Sequence, residues 1–367
     1  MVAPFERGLG HGGSQRASAL AERLEERGAE VEWLISRQRD TARLAKLRDA
    51  LALRPALVGL HPTRSRVGQT FDAAISAHSY LAEWLWALPE GVVRVIDFHN
   101  LEWRHLEDLI ARAPSIRRPY LRLQAALMRR FERRAIGAAD LCTFASEEEL
   151  GWARRGTPDA ELCLAPSVLP RGTEREALTL RPAGPAGEGL IYIGTLRFPP
   201  NVSALLAFLR EIWPRVRERI PALRLTVAGD CAAEDRRRIE RFPGVETVGF
   251  VADPRRVLEP AAAAIMPVEG WAGTSLRALY CALAGVWVIG SPAAFRGLPW
   301  EMGVVAGSAP EWVEAVAESA GPSSERERRI VAARQAALAL QRDPAPWDRL
   351  YERIAALGTS QRPLPRP

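Results

Sequence analysis

Glu269-Gly270-Trp271-Ala272-Gly273-Thr274-Ser275-Leu276-Arg277-Ala278-Leu279-Tyr280-Cys281-Ala282-Leu283-Ala284-Gly285 is the stretch whose reading decides the fold. The apolar run Ala262 to Val268 precedes it, and a second run, Val286 to Ile289, follows. The order is strand, glycine-bearing turn, helix, strand, which is the repeating unit of a parallel sheet. Such a turn offers backbone N–H groups and a helix N-terminus to an anion. Gly273, Thr274 and Ser275 are therefore the expected place for a phosphorylated ligand, although Thr274 or Ser275 would also serve as an ordinary N-cap.

The same alternation extends upstream. Leu190 to Ile193, Leu223 to Ala228 and Val245 to Val251 read as strands. Before them, residues 169–189 open Leu-Pro-Arg-Gly-Thr-Glu and close Arg-Pro-Ala-Gly-Pro-Ala-Gly-Glu-Gly, a density of proline and glycine that marks a linker. The first half repeats the pattern. Ser14 is positioned to cap a helix carrying Leu20 and Leu24 that ends at Gly28. Val31 to Ile35, Leu57 to Leu60, Val92 to Ile96, Leu141 to Phe144 and Leu162 to Ala165 read as strands, with long helices over 73–88 and 118–137. Strands alternating with helices predict α/β domains with parallel sheets covered on both faces. With 367 residues, two domains are the default.

Composition narrows the function. The chain is 47% hydrophobic and 26% charged, with a net charge of +6. Its basic side is almost all arginine, Lys46 being the only lysine, spread along the chain among glutamates. No basic stripe or reading motif was found for nucleic acid, so none is expected as a partner. Cys142, Cys163, Cys231 and Cys281 are far apart without metal-ligand spacing and read as free thiols. The start does not read as a signal peptide, and no apolar stretch is long enough to span a bilayer. A cytoplasmic protein is expected, with peripheral membrane contact left open. Gly8-Leu9-Gly10-His11-Gly12-Gly13 fits a dinucleotide-binding pattern. The strand before it is stunted, and Ile35 is followed by Ser36 and Arg37 rather than a ribose-binding acid, so the loop does not read as a dinucleotide site.

Three stretches carry a family resemblance. They are Tyr192-Ile193-Gly194-Thr195-Leu196-Arg197-Phe198-Pro199-Pro200-Asn201-Val202, Gly249-Phe250-Val251-Ala252-Asp253, and Gly273 to Arg277 with Ala282-Leu283-Ala284-Gly285. In order and spacing they resemble the donor domain of the GT-B glycosyltransferases, in particular family 4 of the retaining enzymes. In the first half, Gly12-Gly13-Ser14-Gln15-Arg16 and Asp97-Phe98-His99-Asn100-Leu101-Glu102 resemble the family's acceptor-side loop and the segment supplying an active-site histidine. Pro346-Trp347-Asp348-Arg349 resembles the start of the last helix, which in this family returns to the first domain.

The resemblance implies a GT-B chain of two doubly wound Rossmann-like domains facing a central cleft. The first, an acceptor domain, spans 1–168, the linker 169–189, the donor domain 190–345, and the returning helix with a frayed tail 346–367. The implied reaction moves a hexosyl or related sugar from a nucleoside diphosphate sugar to a small-molecule or glycan hydroxyl, with retention. No metal or cofactor is implied, since Asp-x-Asp is absent and arginines with helix N-termini neutralise the diphosphate. His99 would contact the transferred sugar, and Arg197 would stabilise the leaving diphosphate. Gly273, Thr274, Ser275, Arg277, Gly12 and Gly13 would bind the donor, and Asn100 and His11 the acceptor.

One position departs from the family. The glutamate that usually holds the donor ribose is replaced by Tyr280, and Glu269 is acidic but displaced by three from the family's first glutamate. A tyrosine hydroxyl donates one hydrogen bond but does not offer a carboxylate's paired acceptors. Three readings stand: the nucleoside is held differently, with Glu269 swinging in; the donor has no ribose; or the module has lost catalysis and partners an active enzyme. A sugar-nucleotide epimerase on the same fold is a further alternative.

Overall fold

The structure is a computed structural model and describes residues 1–8, 12–36, 55–60, 71–181, 189–270, 273–321 and 324–361. The chain divides into two compact units, Met1–Ser167 with Pro344–Pro367, and Val168–Asp343.

The first unit is built on a six-stranded parallel sheet. Its strands are β1 (Val2–Ala3), β2 (Leu34–Ile35), β3 (Ala73–Ser76), β4 (Val93–Phe98), β5 (Leu141–Phe144) and β6 (Leu162–Leu164), in the order β2-β1-β3-β4-β5-β6. The direction of travel reverses between β1 and β3, and the crevice outside such a switch point is where ligands bind in open α/β sheets. β1 is only two residues long yet sits inside the sheet, with Val2 in register with both Leu34 and Ser76. Phe98 and Phe144 stack at 4.7 Å across β4 and β5, both fully buried, and form the floor under the functional end of β4.

Four sequence expectations change here. Residues 73–88 were expected as a helix, but Ala73–Ser76 is a strand lying between β1 and β4, followed by short helical turns at Ser79–Leu81 and Ala82–Trp86. Pairing on both sides outweighs the helix propensity of the alanines. Leu57 to Leu60, expected as a strand, belongs to the helix Ala56–Leu60, since a short apolar run has no decisive period of its own. Ser14 is not a cap: the helix runs Gly12–Glu25, and the Ser14 hydroxyl donates instead to the Glu6 carbonyl at 2.9 Å. The connector read over 169–189 contains a helix, Arg171–Thr179, whose Ala177 is fully buried against the second unit's core.

The second unit carries β7 (Leu190–Ile193), β8 (Leu225–Ala228), β9 (Val245–Gly249), β10 (Ala263–Met266), β11 (Val288–Gly290) and β12 (Val304–Val305), all parallel, in the order β12-β11-β10-β7-β8-β9. Its switch point falls between β7 and β10. Helices cover both faces, and the two faces bury separate apolar clusters, one under helix Leu276–Ala284 and the other under helix Pro199–Glu211. The ends of this unit are tied together by the fully buried Gln341. Its amide donates to the Leu169 carbonyl (2.8 Å), and its carbonyl accepts from the Leu169 N–H (2.9 Å). Helix Ala345–Gln361 then returns to the first unit, where Asp348 accepts from Arg27 at 2.6 Å.

Candidate functional site

At the switch point of the second unit, helix Leu276–Ala284 starts directly after Gly273, Thr274 and Ser275, with Ser275 at the N-cap position. The Ser275 hydroxyl makes no cap bond. It and the Thr274 hydroxyl are buried oxygens with no hydrogen-bond partner among the described residues. A buried hydroxyl without a partner costs free energy, on the order of 1–3 kcal/mol in mutational series. Two of them side by side at a helix N-terminus form a donor set awaiting an acceptor.

Arg277, one turn along, spans the switch point. Its Nη1 donates to the Tyr192 hydroxyl (2.9 Å) and to the Ile193 carbonyl at the end of β7 (3.0 Å), and its Nη2 to Asn201 Oδ1 (3.3 Å). The guanidinium also sits 5.3 Å over the Tyr192 ring. Asn201 is oriented in turn by donating to the Thr195 carbonyl at 2.8 Å. The approach requires glycine at 194. There φ is +154°, and a Cβ would stand 2.2 Å from Arg277 Nη1. Among the described residues no carboxylate pairs with Arg277, so its charge is held by neutral acceptors and stays available to an anion.

Arg197 is placed differently. It follows β7 but projects into solvent, its side chain 62% exposed, and pairs with Asp230 beyond β8 at 2.8 Å. The hydrogen bond to Asp230 raises the Arg197 pKa, and the same bond lowers that of Asp230. Of the two arginines, Arg277 is the one the fold bolts to the helix N-terminus.

Tyr280 lies on the same helix, half-buried, and its hydroxyl donates to Glu176 Oε1 at 3.2 Å. Burial and then the charge of Glu176 push the phenol pKa up. The carboxylate missing at position 280 is thus present in space, delivered by helix Arg171–Thr179. Glu176 rather than Glu269 meets Tyr280. Glu269 is half-buried in the loop after β10. Sequence reading missed Glu176 because it lies in the stretch read as a connector, and its i,i+3 neighbours Thr173 and Thr179 supply no chemical signal.

In the first unit, His99 and Asn100 follow β4, and the switch point is marked by close packing. Gly13 stands where a Cβ would be 3.1 Å from the Phe5 ring and 3.6 Å from His78 Nε2. The His78 and His99 rings lie 4.0 Å apart. Asp97, fully buried in β4, accepts from Arg16 Nη2 (2.6 Å), Arg16 Nε (3.2 Å) and Thr143 Oγ1 (2.6 Å). Burial alone would raise its pKa, but the charge and hydrogen bonds of Arg16, with the adjacent His99 ring, hold it well below the usual range. His99 Nε2 is 3.0 Å from Asp97 Oδ2, within ion-pair distance but off the line of a hydrogen bond, and Nδ1 has no partner. Burial lowers the His99 pKa, which keeps the ring neutral at physiological pH. Arg16 and Asp97, 81 positions apart, lie in two stretches quoted from the sequence, but no spacing there announces that they pair. Gly12 begins helix Gly12–Glu25, and His11 lies outside the described residues.

Below this cluster three glutamates meet. Glu132 accepts from the Ser79 hydroxyl (2.6 Å) and from the backbone N–H of Glu102 (3.1 Å) and Trp103 (3.3 Å). Glu149 accepts from the Leu101 N–H at 3.2 Å. Together they cap helix Glu102–Arg112 from outside. Burial, followed by the charges of Glu132 and Glu149, pushes the Glu102 carboxyl up to about 8, and burial brings Glu132 to about 7.

A family model described as glycosyl transferases group 1 matches residues 187–320. Sucrose-phosphate synthase from Thermosynechococcus elongatus is 16% identical, with a TM-score of 0.63 over 94% of this chain and 93% of that one. WaaG, a glycosyltransferase involved in lipopolysaccharide biosynthesis, is 13% identical, with a TM-score of 0.57 over 98% of this chain and 99% of that one. Anabaena HepE, solved with UDP and glucose, is 12% identical, with a TM-score of 0.54 over 93% and 89%. No curated protein matches the chain. Residues 187–320 match the group 1 glycosyl transferase model, in a chain that has the GT-B fold.

Proposed function

We propose that this chain transfers a hexosyl or related sugar from a nucleoside diphosphate sugar to a hydroxyl acceptor, without a metal or cofactor and with retention at the anomeric carbon. The observation that carries the reading is the pair of buried hydroxyls, Thr274 and Ser275, without a partner among the described residues, beside an arginine that no described carboxylate neutralises. As the bond from the anomeric carbon to the β-phosphate oxygen breaks, negative charge grows on the diphosphate. Arg277, the two hydroxyls and the helix N-terminus meet that charge with donors already in place.

The nucleoside end is read through Glu176. Its carboxylate, steadied by the Tyr280 hydroxyl, supplies the paired acceptors that ribose hydroxyls require. The donor therefore has a ribose, and Tyr280 is a partner in holding it rather than a lost function. In the first unit the neutral His99, just after β4 and beside Asp97, serves the transferred sugar, and Asn100, Gly12 and Gly13 belong to the acceptor and phosphate side.

UDP is the first nucleotide to try, because HepE was solved with it. Purified protein is incubated with a panel of UDP-, dTDP- and GDP-sugars and candidate acceptors, and products are followed by mass spectrometry. The expected result is an acceptor gaining one sugar mass with release of the nucleoside diphosphate. No product across the panel, together with no nucleotide binding, would refute the proposal. Conversion of a donor without any acceptor would assign an epimerase instead.

A further inference from the structure

A second surface of the first unit has its own chemistry. Helices Glu102–Arg112 and Arg118–Ala138 form a hairpin joined by a short turn at Ser115–Arg117. Three of the nine exposed large hydrophobic residues among the described ones crowd its tip. Ile116 is 87% exposed, Tyr120 57% and Leu123 50%. Leaving this much aliphatic surface in water is unfavourable, and clustered exposed apolar residues mark an interaction site.

The charge around the tip is one-sided. Helix Arg118–Ala138 contains six arginines and a single acid, Glu132. That acid is turned inward and occupied by Ser79 and the backbone of Glu102 and Trp103. Arg117 and the helix arginines 118, 122, 129, 130, 133 and 134 are exposed, and none is in an ion pair among the described residues. Some are braced by contacts that leave the charge outward. Arg129 lies 4.7 Å over the Trp103 ring and Arg134 5.2 Å over Trp86. Elsewhere on this chain exposed arginines commonly pair with carboxylates, as Arg197, Arg219 and Arg353 do.

A polynucleotide would satisfy the arginines but leave Ile116 and Leu123 in water. A bilayer surface satisfies both features. Aliphatic side chains enter the acyl boundary, tyrosine sits at the headgroup level, and guanidinium groups meet lipid phosphates. We infer that the hairpin tip, residues 115–123, docks the first unit onto a membrane surface of anionic phospholipid, with Ile116, Tyr120 and Leu123 entering the interface and Arg117, Arg118 and Arg122 on the headgroups. No helix of the described residues is long and apolar enough to cross a membrane, so the contact is peripheral. The inference does not depend on the reaction proposed above.

The test is co-sedimentation of the full chain with vesicles of phosphatidylcholine alone and of phosphatidylcholine mixed with phosphatidylglycerol. Binding is expected to the mixed vesicles only and to weaken with added salt. Arg117→Glu and Arg122→Glu are each expected to lower the partition coefficient about fivefold or more. Ile116→Ser and Leu123→Ser are expected to lower it several-fold while leaving its salt dependence in place. These side chains are exposed, so unchanged thermal midpoints verify that the variants remain folded. No pelleting with the mixed vesicles overturns the inference. So does equal pelleting with both vesicle types, or vesicle binding that none of the four substitutions alters. Tight binding to a polynucleotide, without vesicle binding, would overturn it too and reassign the arginines.

Discussion

Substituting Glu176 by Gln separates the nucleoside from the diphosphate. In the structure the Tyr280 hydroxyl donates to Glu176 Oε1 at 3.2 Å, which leaves the carboxylate acceptor capacity for a ribose diol. A hydrogen bond to a charged group contributes about 1.5–3 kcal/mol. Glu176→Gln should therefore weaken nucleoside diphosphate binding by roughly 10- to 150-fold. Inorganic pyrophosphate has no ribose and should bind the variant as it binds the parent. Restoring the family glutamate by Tyr280→Glu makes a sharper comparison. It would put a second carboxylate on the side facing Glu176, and two like charges about 4 Å apart repel by about 4 kcal/mol at an effective dielectric constant of 20. One of the pair would take up a proton, and nucleotide binding would weaken rather than improve. Isothermal titration calorimetry with a nucleoside diphosphate and with pyrophosphate, on the parent and both variants, gives all the required affinities. The reasoning is refuted if Glu176→Gln leaves nucleotide affinity unchanged, if it weakens pyrophosphate equally, or if Tyr280→Glu binds nucleotide more tightly.

Three further outcomes are expected. Arg277→Ala should cost at least tenfold in diphosphate affinity by calorimetry, whereas Arg197→Ala, which removes only an exposed pair, should leave the unfolding midpoint nearly unchanged and lower affinity far less than Arg277→Ala. Asp97→Asn strands the buried Arg16 guanidinium without its counter-charge and should destabilise the first unit by about 3–5 kcal/mol in denaturant unfolding. Glu102 takes part in the pH dependence of stability. Its folded pKa of about 8 lies above its ordinary 4.5, so the folded state holds a proton that the unfolded chain releases. That contribution is complete below pH 4.5 and is lost as pH rises through 8. Glu102→Gln should remove the decline in stability over that range, about 5 kcal/mol for the full shift, as read from urea unfolding, and an unchanged slope would refute the assignment.

Much of the second unit was legible in the sequence because its strands are short apolar runs bounded by glycine and proline. The runs Leu190 to Ile193, Leu223 to Ala228 and Ala262 to Val268 read as strands because each alternates with a helix-length segment, and Leu190–Ile193, Leu225–Ala228 and Ala263–Met266 are strands of one parallel sheet. The turn at Gly273 to Ser275 was legible for the same reason, since its chemistry is local. What escaped was chemistry assembled from distant parts. Glu176 reaches Tyr280 across 104 positions, and Arg16 reaches Asp97 across 81. Neither pair leaves a spacing signature. Residues 73–76 were misread because alanine favours helices unless strands flank it on both sides. The exposure of Arg197 and the anchoring of Arg277 are properties of the fold, invisible to a motif.

Gln341 has a consequence for how the molecule could be cut and rebuilt. One side-chain amide grips both backbone groups of Leu169, so the two ends of the Val168–Asp343 unit are held within a residue's reach of each other. That unit is in effect a closed module inserted into the first, entered and left at one point. Adjacent ends are the condition under which excision or circular permutation leaves a core intact. Residues 168–343 should therefore fold when expressed alone. The first unit is made of two separated pieces of chain and would need a short bridge from Ser167 to Pro344 to do the same.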